Sequence, residues 1–182
     1  MQGVILAGGK GRRVGGNFKG GLLYHGRPLI QHVVQRIQPQ VDTLAINANN
    51  IYSVFEKINL PVFSDAPQWQ DMGPLAGVVT SFTLFPDQWV FFAPVDMPLL
   101  PEDIVSQLWQ HKRDCRYCYA SADNRDHPLV AVAHSSLLLD LKRYLAQGER
   151  RVMQWLKQID ACSLEFSDTQ AFVNLNRLEC FT

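Results

Sequence analysis

The residue types best suited to chemistry lie near the start of the chain. Seven glycines (Gly8, Gly9, Gly11, Gly15, Gly16, Gly20 and Gly21) are interleaved with Lys10, Arg12, Arg13 and Lys19. Without side chains, backbone N–H groups can approach phosphate oxygens closely, and cations in the same loop neutralise a triphosphate and the pyrophosphate that leaves it. Two familiar phosphate loops are excluded. The dinucleotide fingerprint requires glycine where Val14 follows Gly9-x-Gly11-x-x, and a Walker A loop requires Ser or Thr where Gly20 follows Lys19.

Acidic residues placed just past apolar runs form the second group. Asp96 follows the apolar run 89–95 and is flanked by Pro94 and Pro98. A charged residue in that place is poorly explained by packing, and such a carboxylate can hold Mg²⁺ against phosphate oxygens. Asp65 ends a shorter run near 61–63. It suits orientation of the acceptor or the nucleobase, and equally a turn before Pro67. Asn47 ends another run, and its amide offers both a donor and an acceptor to a base.

These groups need a frame to bring them together. Residues 4–7, 43–47, 61–63 and 89–95 read as short, solidly apolar strands. Helices are expected from Pro28 to Pro39, over 54–58 and over 75–85, and again near Pro101, with Glu102 and Asp103 in its acidic first turn. Strands at 117–120 and 129–133 follow, separated by a polar loop at 123–127. Helices at 136–146 and 152–158, a strand at 162–166 and the apolar pair Phe172 and Val173 complete the pattern. Alternation of this kind predicts an α/β fold: one doubly wound, mostly parallel sheet with helices on both faces and a small antiparallel addition. Ligands in such sheets bind beyond the carboxyl ends of the strands.

Bulk properties set the outer limits. The 182 residues are 47% hydrophobic and carry 17 basic and 17 acidic side chains, which fits one domain. Within it, residues 1–100 are expected to form mainly the nucleotide-binding half and 101–182 the acceptor half. A formal net charge of zero argues against nucleic-acid or membrane binding and fits a monomer or weak homo-oligomer. No segment reads as a membrane span or a secretory signal, and the four cysteines need no disulfides, so a cytoplasmic protein is expected. Cys115-x-x-Cys118 has metal-like spacing without a recognisable second pair, and it reads as core cysteines.

The segment Leu6-Ala7-Gly8-Gly9-Lys10-Gly11-Arg12-Arg13, followed by Lys19-Gly20, resembles the signature of sugar-nucleotide-type nucleotidyltransferases. The closer likeness is to the molybdenum cofactor guanylyltransferase family. It continues through Asn47-Ala48-Asn49, Asp65, Gly73-Pro74-Leu75-Ala76-Gly77, Pro94-Val95-Asp96-Met97-Pro98, Asp126-His127-Pro128, Gly148-Glu149-Arg150-Arg151-Val152 and Phe172-Val173-Asn174-Leu175-Asn176. Two positions depart from the pattern. Phe18 stands where the family commonly has Asp before the loop lysine, and Arg177-Leu178-Glu179-Cys180 replaces the usual continuation after the asparagines.

The resemblance implies transfer of GMP from GTP to the terminal phosphate of molybdenum-molybdopterin, with release of pyrophosphate. It implies Mg²⁺, or alternatively Mn²⁺, on Asp96, with Arg13, Lys19 and Asp96 catalytic. Leu6, Ala7, Gly8, Gly9, Lys19, Asn47, Asp65, Gly73 and Asp96 would bind the nucleotide. His127, Arg150, Arg151, Asn174 and Asn176 would bind the acceptor, and a molybdopterin-delivering protein or a molybdoenzyme chaperone would be the partner. Two other functions fit the loop: cytidylyl transfer to molybdopterin or another phosphorylated acceptor, and GTP binding without catalysis in cofactor assembly.

Overall fold

The computed structural model describes residues 1–8, 19–50 and 53–175. Gly9, Arg13 and Asn176, all expected in the site, lie outside the described residues.

Nine strands and six α-helices follow one another in these residues. β1 (Gln2–Leu6), β4 (Thr43–Asn47), β5 (Val62–Phe63) and β6 (Trp89–Pro94) are parallel. They are joined in one sheet by β7 (Tyr117–Ala122), β8 (Arg125–His134) and β9 (Cys162–Phe166), in the order β5-β4-β1-β6-β8-β7-β9. β8 is antiparallel to both β6 and β7, and β9 returns parallel to β7. β2 (Leu23–Tyr24) and β3 (Arg27–Pro28) form a separate antiparallel ribbon.

Alternation along β1 divides the core in two. Ile5 packs on the face covered by α1 (Leu29–Ile37), α2 (Ser53–Glu56) and α4 (Ile104–His111). Val4 and Leu6 pack on the opposite face with α3 (Leu75–Leu84), α5 (Leu138–Ala146) and α6 (Val152–Gln158). The period of two along a strand produces this split, and helices on both faces satisfy it. α1 shows the matching helical stripe: Leu29, Ile30, Val33 and Ile37 are buried.

The expected elements are present, with four local differences. The first strand runs over Gln2–Leu6 rather than 4–7, because the ladder to β4 begins at Gln2 and Thr43. α4 begins at Ile104, so Glu102 and Asp103 precede it, and Glu102 instead pairs with Arg36 of α1. The expected loop at 123–127 is a two-residue turn: Asp123 and Asn124 both have positive φ, 52° and 56°, as a tight hairpin favours. His127 therefore lies inside β8, opposite Ala120 and beside a register shift at Tyr119/Ala120. Finally, Pro28 belongs to the ribbon and stands at the N-cap of α1.

The chain leaves β1 toward β4 and leaves β6 toward the opposite edge. Adjacent strands with diverging connections open a crevice at their carboxyl ends.

Candidate active site

A cleft of about 810 Å³ occupies that crevice. It collects residues distant in sequence because each parallel strand ends there: Ala7 and Gly8 after β1, Asn47 and Asn49 from β4, Asp65 after β5, and Asp96 after β6. The first residues of β8 reach the same cleft. Pairing of β8 with β6 stops at Ala131 opposite Phe92, so the antiparallel strand carries 125–130 beyond the paired part of β6 as a wall. A second cavity, of about 440 Å³, opens at the other end of the sheet beside Met1, Trp89 and Trp109. Its charged groups there are the Met1 amino group and Asp42, which pair with each other, so it offers no phosphate site among the described residues.

Lys19 and Asp96 meet in the cleft. The ammonium Nζ lies 3.3 Å from Asp96 Oδ2, and the carboxylate-bearing residue is buried. The Asp96 backbone carbonyl accepts the Leu175 N–H at 2.9 Å, which fastens the segment 173–175 over the end of β6. Asn174 on that segment also lines the cleft, and its Oδ1 is buried with no hydrogen-bond partner among the described residues. A buried acceptor left unpaired carries a desolvation cost and marks a place for a donor or a cation.

Asp65 is held from two sides. Asn47 Nδ2 donates to Asp65 Oδ1 at 3.0 Å, and Asn49 Nδ2 donates to Asp65 Oδ2 at 2.7 Å. The Asp65 N–H donates back to Asn49 Oδ1 at 2.8 Å. Facing the Phe63 carbonyl as well as Asp65, the Asn47 amide must turn its nitrogen that way, leaving Oδ1 toward Gly77 and Gly8. A Cβ at Gly77 would stand 2.4 Å from that oxygen, so α3 can approach β4 this closely only with glycine there. Gly73 opens the same helix with φ of 72°, and it too borders the cleft.

His127 is buried and its ring tilts against Phe172, with centroids 5.0 Å apart. Burial lowers its pKa below the ordinary histidine value, and the nearby Arg125 guanidinium lowers it further. The imidazole is thus neutral near pH 7.

Of the residues expected in the site, Leu6, Ala7, Gly8, Lys19, Asn47, Asp65, Gly73, Asp96, His127 and Asn174 all line this one cleft. Arg150 and Arg151 do not. Arg151 stands at the N-cap of α6 with its carbonyl accepting the Tyr144 hydroxyl, while Arg150 donates to the carbonyl of Asp71, a residue of the cleft lining. Sequence reasoning passed over the pairing of Asn49 with Asp65, and also Arg125. The pairing crosses from β4 to β5 and had no local signal; Arg125 was hidden by the expectation of a loop.

The donor set suits Mg²⁺, which keeps waters and substrate phosphates as most of its ligands and takes one or two protein oxygens. Asp96 supplies the carboxylate and Asn174 an unpaired oxygen on the same cleft. No group of three or more His, Cys, Asp or Glu side chains able to enclose a metal occurs among the described residues.

Residues 3–161 match the family model described as the MobA-like NTP transferase domain. The molybdenum cofactor guanylyltransferase of Yersinia pestis (strain Pestoides F) is 44% identical over 177 residues, covering 97% of this chain and 90% of the relative. The enzyme of the same name from Yersinia pseudotuberculosis serotype O:3 (strain YPIII) matches with the same figures. Among solved structures, the molybdopterin-guanine dinucleotide biosynthesis protein A of Archaeoglobus fulgidus superposes with a TM-score of 0.80 at 22% identity, covering 100% of this chain and 95% of that one. A 4-diphosphocytidyl-2C-methyl-D-erythritol synthase from Anaerococcus prevotii gives 0.73 at 11% identity, with 98% and 91% covered. Since that synthase is named for a cytidyl compound, the shared fold does not by itself select the base.

Proposed function

This chain belongs to the MobA-like NTP transferase family, and from that premise we infer that it transfers GMP from GTP to the terminal phosphate of molybdenum-molybdopterin. The products are molybdopterin guanine dinucleotide and pyrophosphate. The observation that carries this reading is the 44% identity to molybdenum cofactor guanylyltransferases across 97% of the chain, joined to a cleft that holds ten of the expected residues.

In the proposed step, an oxygen of the acceptor's phosphate monoester attacks the α-phosphorus of GTP. The bond from that phosphorus to the oxygen bridging the α- and β-phosphates breaks, and pyrophosphate departs with the electron pair. A phosphate monoester is already anionic near neutral pH, so alignment and charge neutralisation carry the catalysis. Lys19, beside Asp96, stabilises the triphosphate, and Arg13 of the glycine loop is assigned the same task. Asp96 and Asn174 would hold Mg²⁺, with Mn²⁺ as the alternative. When bound, the ion supplies charge neutralisation at the phosphate oxygens.

Base recognition is assigned to Asn47, Asp65 and the backbone after β1. Leu6 O and Ala7 N are engaged with Val95 N and Asn47 O, so recognition by this segment falls to backbone atoms from the Ala7 carbonyl onward. His127 and Asn174 face the acceptor. Arg150 and Arg151 reach it only from outside the cleft. In this reading residues 1–100 form mainly the nucleotide half and 101–182 mainly the acceptor half.

No helix among the described residues is long and apolar enough to cross a membrane. The reading is completed by a cytoplasmic monomer or weak homo-oligomer that receives molybdopterin from a delivering protein or passes product to a molybdoenzyme chaperone. Pyrophosphate release with Mg²⁺, molybdenum-loaded molybdopterin and each of GTP and CTP tests it. Release with GTP alone is expected; release with CTP alone would overturn the guanylyl assignment.

A further inference from the structure

Six charged side chains line the described part of the cleft: Lys19, Asp65, Asp71, Asp96, Arg125 and Asp126. Most are already committed. Lys19 pairs with Asp96, Asp65 is held by Asn47 and Asn49, and Asp126 lies close enough to Tyr119 to raise its pKa. Arg125 differs: its guanidinium enters no ion pair among the described residues. It is exposed on the wall that β8 builds, whereas Lys19 and the end of β1 belong to the nucleotide side.

The reaction brings two anions into one cleft, and they need separate cations. The triphosphate is matched by the glycine loop and Lys19. The acceptor's phosphate monoester requires a donor elsewhere, and an arginine fork suits phosphate better than a single backbone N–H. Two residues from Arg125, the neutral His127 ring rests on Phe172, an aromatic surface for a flat heterocycle. A phosphate donor beside an aromatic surface has the chemistry of a phosphorylated pterin. Resting on the function argued above, we propose that Arg125 is an acceptor-phosphate-binding residue inside this cleft.

Two equilibrium measurements test this on the full chain: binding of molybdopterin and, separately, binding of Mg²⁺–GTP. Arg125→Ala should weaken molybdopterin binding about tenfold and leave GTP binding within about twofold, as expected for one lost charge-assisted contact. Arg125→Lys should restore part of the loss. Unchanged molybdopterin affinity in Arg125→Ala, or an equal loss for both ligands, overturns the assignment. Pyrophosphate release by the unsubstituted chain tests the underlying reading separately. Binding of molybdopterin without release counts against guanylyl transfer and leaves the Arg125 comparison standing, whereas no molybdopterin binding at all overturns both.

Discussion

Asn49 and Asp65 exchange two hydrogen bonds across the ends of neighbouring strands, the amide donating to the carboxylate at 2.7 Å and accepting the Asp65 N–H at 2.8 Å. With Asn47 on the other carboxylate oxygen, Asp65 is fixed in direction before any nucleotide arrives. Asn49 is itself exposed, so its removal should act on orientation more than on folding. Asn49→Ala should raise the KM for GTP about fivefold with kcat changed less, while the melting temperature moves by only a few degrees. Asn49→Asp should be worse, because it sets a second carboxylate against Asp65. Steady-state kinetics with varied GTP decide this; an unaltered KM in both variants would remove Asn49 from the site.

The pair of Lys19 with Asp96 leads to a different expectation. Asp96 fastens the segment 173–175 through its backbone carbonyl, so changing its side chain leaves that attachment in place. Asp96→Asn should therefore retain the fold, measured by thermal melting, and lose metal-dependent turnover by about a thousandfold, on the scale of removing one main transition-state charge. Lys19→Ala should lose turnover as well and raise the KM for GTP. Turnover near that of the unsubstituted chain in Asp96→Asn would sink the metal assignment.

How much of this was legible in the sequence depended on whether a residue's role was set locally. Asp96 was legible because an acidic residue closing a buried apolar strand has few structural uses. Asn47 and Asp65 were legible as polar residues at strand ends, the first by its donor-and-acceptor amide and the second with a turn before Pro67 as the competing reading. Asn49 was not, since its partner is 16 positions away on another strand and no local pattern records that contact. His127 was named, but the wall carrying it was not foreseen: the 123–127 stretch looks like a polar loop, and only the Asp123–Asn124 turn extends β8 into it. The same turn brings Arg125 into the cleft. Arg150 and Arg151 came from the family likeness; both are exposed and neither lines the described cleft, although Arg150 donates to the carbonyl of Asp71, which does.

Gly77 gives a packing test of the nucleotide side. Alanine there would bring Cβ to 2.4 Å from Asn47 Oδ1 and 2.9 Å from Leu6 Cδ2, so α3 or the Asn47 amide must shift. Gly77→Ala should destabilise the protein by about 1–3 kcal/mol and raise the KM for GTP. Gly73→Ala is the comparison: nothing among the described residues lies within 4 Å of its Cβ, and the positive φ of 72° opposes it at a cost of about 1 kcal/mol. Urea denaturation of the two variants should rank them in that order, and the reverse order would show that the contact with Asn47 is not tight.

The stability of the fold should depend on His127 in a defined pH range. Burial and Arg125 hold its folded pKa below the ordinary value of 6.5, against the smaller upward pull of Asp126 and Glu165. The unfolded chain then binds a proton that the folded chain refuses. The stabilisation is therefore present above about pH 6.5 and is lost as the pH falls below it toward the folded value. Replacing His127 with Gln removes this term. The difference in melting temperature between pH 7.5 and pH 5.5 should be smaller in His127→Gln than in the unsubstituted chain. An equal or larger difference would mean that His127 titrates alike in both states.

The last prediction concerns how the acceptor wall is fastened. Asp168 Oδ1 accepts the N–H groups of Gln170 and Ala171, at 3.1 and 3.3 Å, capping the short helical turn Thr169–Phe172. That turn delivers Phe172 to His127 and leads directly to Asn174 and to Leu175, whose N–H reaches the Asp96 carbonyl. Asp168 lies outside the cleft, so any effect on turnover must travel through this segment. Asp168→Ala should cost about 1 kcal/mol, the usual loss of a side-chain cap. It should raise the KM for molybdopterin severalfold and leave the KM for GTP nearly unchanged, and Asp168→Asn should restore most of both losses. Amide hydrogen exchange offers a direct check: protection of Val173 and Leu175 should fall in Asp168→Ala while β1 and β4 stay protected. Loss of protection across the whole sheet would show that the cap supports the fold at large rather than the acceptor wall.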